Sequence, residues 1–304
     1  MRASFVTVLV AVACGSTAAS GQLAAGVAAS NTGEPSATEF AARAREGTAR
    51  FRDQQAAIEA GFRRVGVDFP AMGEHWVSPE RIVVDRFDAA TPSVLMYVRI
   101  NGVPTLVGVA YTALLGPGAS VPTFSAAKPF WHEHNGTVVE ESFPLVGHTS
   151  PPGPDEAHLA ILHAWVWTDN PEGLFTTDNW SLPFVRAGVP GPRVPTAELA
   201  GALSLAAGGA DYYLLAARTV GQLSDTEALS AERLLRAEAT RLADHVAHVR
   251  AKRALDPADE RELVEGWRAL WDALAGVAPD RAAAIRALAH GGEGAHEKAH
   301  SSQK

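Results

Sequence analysis

The sequence predicts an α+β protein: a small, mainly antiparallel sheet packed by an N-terminal helix and followed by a helical C-terminal region. Three observations carry this. The runs "SVLMYVRI" (residues 93–100) and "TLVGVAYTALL" (residues 105–115) are rich in β-forming side chains and flank Asn101-Gly102, a strong signal for a two-residue hairpin turn. Beyond residue 195 apolar residues recur at helical spacing almost without interruption. The hydrophobic fraction of 47% and charged fraction of 20% are those of a chain that buries a core, which excludes wholesale disorder.

Taken in chain order, Met1-Arg2, an apolar run to Ala13 and the small residues around Cys14 have the layout of an export signal over residues 1–20. Cleavage before Cys14 gives a lipoprotein, since "AVAC" resembles a lipobox; cleavage after "AAS" gives a freely secreted protein. A polar linker over residues 21–37 follows. Ser36 and Glu39 then have the spacing of a capping box, and Phe40, Phe51, Ile58 and Phe62 recur as one helical face reaching Gly61, with Gly47 as its weak point. "TVVEESF" and "LAILHAWVW" read as two further strands. The α+β region is expected over residues 38–187, closed by "GVPGPRVP". The helical region spans residues 195–290. In it, residues 199–221 form a buried helix and Ser224 with Glu227 repeats the capping box. Stripes at Leu235, Leu242, Val246 and Val249, and at Leu263, Trp267, Leu270, Trp271 and Leu274, bury against one another or the sheet. A polar tail, residues 291–304, is expected to be disordered.

The composition also removes functions. A net charge of −8 argues against a general nucleic-acid binder. Cys14 is the single cysteine, so the body of the chain has no disulfide, thiolate metal site or thiol nucleophile. No Gly-x-Ser-x-Gly elbow, phosphate loop or dinucleotide fingerprint is present. A membrane contact is expected only through a lipid anchor at Cys14.

What remains is a concentration of imidazole and indole. Six of the eleven histidines fall between His75 and His163, and five of the seven tryptophans between Trp76 and Trp180. Neutral imidazole is the commonest protein ligand of zinc, copper and iron. If "WHEH" is extended, His132 and His134 share a side and can chelate one ion. On the "LAILHAWVW" strand Leu159, Ile161, His163, Trp165 and Trp167 are expected on one face, with His163 on a rigid apolar wall. His75, brought in from "MGEHW", completes the set, and His148 in "VGHTSPPG" is a reserve ligand. The spacing of Glu140 and Glu141 does not reproduce the cupin pattern, and a zinc-protease helix is absent. The same residues have a plainer reading: a histidine on an apolar strand is often a hydrogen-bonded core residue, and large indoles pack. His245 and His248, one helical turn apart, belong more simply to a solvated helix face.

"TARFRDQQAAIEAGF", "MGEHWV", "LVGVAYT" and "HAWVWTDNPEGLF" together resemble a family of uncharacterised exported bacterial proteins. In that family a helix leads to Met-Gly-x-His and a later His-x-Trp-x-Trp precedes Asn-Pro-x-Gly-x-Phe. The resemblance covers roughly residues 38–184 and implies that His75 and His163 belong to one recurring architecture. It implies no activity. The functional expectation is therefore an exported periplasmic, envelope-bound or secreted protein that binds a transition metal through His75, His132, His134 and His163. Its partner would be a small molecule or an envelope protein. Two alternatives stand beside it: a non-catalytic envelope protein whose histidines and tryptophans only pack or bind a partner, and a metal-dependent oxidoreductase or hydrolase.

Overall fold

The computed structural model describes residues 36–83, 87–122, 130–134, 158–192 and 195–290. The export segment with Cys14, most of the linker, "TVVEESF" with Glu140 and Glu141, His148 and the C-terminal tail lie outside these residues. Among the described residues six strands make one sheet: β1 (Arg63–Phe69), β2 (Gly73–Val77), β3 (Val94–Ile100), β4 (Val103–Leu115), β5 (His132–His134) and β6 (His158–Ala164). Their order is β1-β2-β3-β4-β6-β5, and every neighbouring pair is antiparallel. Asn101-Gly102 turns β3 into β4, with φ of 51° and 80°, as a hairpin matching the strand twist requires. The sheet is followed by helices, so the α+β class is the architecture of the chain.

One face of the sheet carries Leu95, Tyr97, Val109, Tyr111 and Leu162 and shares a core with the N-terminal segment through Phe40, Phe51, Ala57 and Phe62. That segment corrects the expectation of one long helix. Helix α1 (Ala37–Thr48) starts at the Ser36–Glu39 capping box, a 3-10 turn covers Ala49–Arg52, and Asp53 caps a second helix, α2 (Gln54–Glu59). Geometry explains the break. In a straight helix Phe51 and Phe62 would stand about 16 Å apart along the axis; here their rings meet edge to face at 5.2 Å. Folding the segment back lets all three phenylalanines bury on one patch of sheet. Gly47 sits where the turn passes Ala90, whose carbonyl oxygen would lie 2.0 Å from any Cβ added there.

The other face supplies Phe69, Met72, Met96, Val98, Val107 and Trp165 to a second core, completed by the C-terminal helices. These are α3 (Leu182–Ala187), α4 (Ala197–Ala206), α5 (Ala210–Val220), α6 (Asp225–Lys252), α7 (Pro257–Val277) and α8 (Ala282–Ala287). The expected stripes of α6 and α7 are buried, and Ser224 and Glu227 cap α6 as a box. The apolar stretch 199–221 is two helices rather than one, because the chain reverses at Gly208 (φ 105°). That reversal lays Tyr213 against Trp267. Among the described residues no helix is long and apolar enough to cross a membrane. A part-buried ion pair ties this layer to the sheet: buried Arg186 on α3 forks onto both carboxylate oxygens of Asp68 on β1.

Candidate histidine site

Register places three histidines on one face. His163 lies opposite Ala110 on β4, and His132 lies opposite Ile161, two residues before His163. His75 lies opposite Met96, which pairs with Gly108, two residues before Ala110. Alternation along strands then puts His75, His132 and His163 on the same side. "MGEHW" thus supplies strand β2, which carries His75.

Two strands separate β2 from β6, about 14 Å in a flat sheet. Yet the His75 and His163 ring centroids are 5.7 Å apart, closer than two facing side chains reach across a flat sheet. The sheet therefore curls, and bulges between Val65 and Asp68 and between Met96 and Tyr97 supply the bend. Gly108 sits at the bottom of the curve: a Cβ there would come within 2.5 Å of the Met96 methyl and 3.2 Å of the Trp165 ring. His132 approaches from the edge strand, its ring 5.3 Å from that of His163. The result is a row, His75–His163–His132.

Each ring is held differently. His163 is buried, and its Nδ1 lies 2.9 Å from the Thr177 carbonyl. A carbonyl only accepts, so Nδ1 carries a proton and Nε2 is the nitrogen left to act as a ligand in the neutral tautomer. His75 stands edge-on to Phe69 at 5.2 Å, and its Nδ1 is buried with no hydrogen-bond partner among the described residues. Burial pushes its pKa down to about 4, with a smaller opposing contribution from the backbone of Gly73, so this imidazole is neutral at pH 7. His132 is more exposed, its Nδ1 3.5 Å from the Phe130 carbonyl. The backbone puts His134 two residues along β5, opposite Leu159; its side chain lies outside the described residues. His148 lies outside them altogether. Among the described residues no three His, Cys, Asp or Glu side chains stand in an arrangement that holds a metal ion as they are.

The loop that holds His163 is not foreseen from the sequence. Asn170 donates to Thr176 Oγ1 at 2.7 Å and to the Asp178 carbonyl at 2.8 Å while accepting from Glu172 N–H. Fully buried Asn179 donates to the Asp169 carbonyl through its side chain and to the Ala71 carbonyl through its backbone. The successive carbonyls of Thr176 and Thr177 then receive Trp165 Nε1–H and His163 Nδ1–H. A run of Asn, Thr and Asp side chains, which bond to nearby backbone, was the available signal.

The tryptophan strand needs a further correction. Strand β6 ends at Ala164, where Val166 N–H turns back to the Ala164 carbonyl. Alternation fails there. Trp165 keeps the His163 face and joins the core with the C-terminal helices, but Trp167 crosses to the other side, where it donates to Thr48 Oγ1. Glu74, next to His75, is nearly fully buried. It serves Arg64, Arg99 and Trp76 Nε1 at 3.1–3.2 Å, an assembly that packs β2 and takes no part in the histidine row. On α6, His245 faces Asp259 and Glu262 of α7, while His248 is exposed, so the two do not chelate. Compared with protein-family models, with curated proteins and with solved structures, the chain finds no match.

Proposed function

We propose that this is an exported protein that binds a transition metal through His75, His132 and His163, with His134 and His148 available as further ligands. The observation that carries this reading is the row of three imidazoles on one curled face. With metal–nitrogen bonds of 2.0–2.1 Å, imidazoles around a tetrahedral ion have centroids about 5 Å apart. The two spacings to His163, 5.3 and 5.7 Å, approach that value. An unpartnered nitrogen on His75 and a carbonyl fixing the His163 tautomer are what an all-imidazole site for zinc, copper or iron uses. Small ring rotations and the approach of a fourth ligand would close it. The packing alternative is supported by the His163–Thr177 bond taken alone, and leaves the His75 nitrogen unexplained. Export rests on the N-terminal pattern and on the resemblance to exported bacterial proteins.

The deciding experiment is metal analysis and chelator-competed titration with Zn²⁺ and Co²⁺ on protein prepared without a histidine tag. One equivalent of ion is expected, and H75A and H163A should each weaken binding at least tenfold. No bound ion, or affinities indifferent to both substitutions, would leave the packing reading in its place. Intact mass of natively expressed protein in the same preparation tests export: a cytoplasmic chain that retains residues 1–20 rules it out.

A second expectation concerns acid. In the unfolded chain a histidine titrates near 6.5, whereas folded His75 titrates at about 4. Between those values the unfolded state holds a proton that the folded state refuses, so stability rises with pH in that window. The contribution is complete above about pH 6.5, is lost as pH falls toward 4, and changes no further below; the full swing is about 3 kcal/mol. Urea denaturation from pH 7 to pH 4 should show this decline in the wild type and a shallower one in H75Q. Equal slopes would mean that His75 titrates normally.

A further inference from the structure

Many of the described arginines of this acidic protein have a carboxylate partner. Arg43 meets Asp88, Arg64 and Arg99 share Glu74, and Arg186 meets Asp68. Arg50 and Arg81 do not. Among the described residues neither makes an ion pair or a side-chain hydrogen bond, yet they converge on one ring. The Arg50 guanidinium carbon is 4.5 Å from the Phe51 centroid and that of Arg81 is 5.5 Å from it and 5.0 Å from the Phe62 centroid. Phe51 is fully buried beneath them. The two come from separate 3-10 turns, Ala49–Arg52 and Pro79–Arg81, whose meeting is set by packing of the N-terminal segment on the sheet.

We propose that Arg50 and Arg81 form a clamp for a phosphate group, with the Phe51 ring as its floor. Three arguments support it. Like charges drawn onto one ring oppose each other, and the Arg81 pKa is lowered first by burial and next by the Arg50 charge. A bound oxyanion would relieve that opposition. An aromatic face that holds a guanidinium leaves its N–H edge for a partner, and two such forks match a tetrahedral dianion. The neighbouring carboxylate leaves part of the charge standing: for Arg81, Glu80 acts more weakly than the opposing Arg50.

The probe is inorganic phosphate, titrated calorimetrically against a chloride control of equal ionic strength. Saturable binding is expected, weakened at least tenfold in R50Q/R81Q. Because these side chains also cover Phe51, the wild type is tested in parallel by phenylglyoxal modification with mass-spectrometric mapping. Phosphate should protect Arg50 and Arg81 and leave exposed Arg233 and Arg261 reactive. No phosphate-specific binding, binding that survives in a folded double variant, or equal protection of all arginines would overturn the clamp. Cosedimentation with phosphatidylglycerol vesicles, competed by free phosphate, would assign the group to a lipid headgroup. Binding of phosphate without cosedimentation would assign it to a soluble ligand. Both uphold the clamp.

Discussion

Replacing Trp165 with alanine is expected to lower the unfolding free energy by about 3–5 kcal/mol, the range for removing a large buried aromatic. The ring is 3% exposed and joins the core that unites the sheet with the C-terminal helices. Its loss also leaves the Thr176 carbonyl without its indole donor, at 2.7 Å, one residue before the carbonyl that holds His163. W167A should cost clearly less. Trp167 is only half-buried and lies on the opposite face, and Thr48 Oγ1, which loses its indole, still donates to the Ala44 carbonyl. Chemical denaturation of both variants gives the comparison. Equal destabilisation, or a W165A midpoint close to the wild type, would contradict this division of the two tryptophans between faces.

That division was half-legible in the sequence. Period-two alternation placed Ile161, His163 and Trp165 together because a strand enforces it, and it failed at Trp167 because the strand ends where local bonding turns the backbone. The hairpin at Asn101-Gly102 and both Ser–Glu capping boxes could be read because each is a local interaction among residues close in sequence. The broken N-terminal helix could not. Its break is set by Phe51 meeting Phe62 and by Ala90 crowding Gly47, contacts that no helical period encodes. Convergence of His75 with His163 was likewise beyond the sequence, since it depends on how far two bulges bend four strands. The histidine count pointed to the region; the curvature decides which rings meet.

Removing the carboxylate of Asp68 should be the other severe lesion. Arg186 is 5% exposed and its guanidinium forks onto Asp68, while its Nε has no partner among the described residues. In D68N the buried cation keeps its desolvation penalty and loses its countercharge. Breaking a buried pair from one side costs about 3–5 kcal/mol. Replacing both partners differs in kind: D68N/R186M removes the cation as well, and a well-packed apolar substitute for a buried pair is often neutral or better. The double variant should therefore recover most of the stability lost in the single one, measured by denaturant midpoints at pH 7. The consequence extends to the histidines. Asp68 precedes Phe69, which closes the β1–β2 turn against Gly73 and stacks edge-on against His75. If D68N loses less than about 1 kcal/mol, as an exposed pair would, the link between helical layer and sheet does not run through this pair. If the loss is full and is rescued in the double variant, Arg186 holds the hairpin that carries His75 against the C-terminal helices. Metal affinity should then fall in D68N alongside stability and return with it.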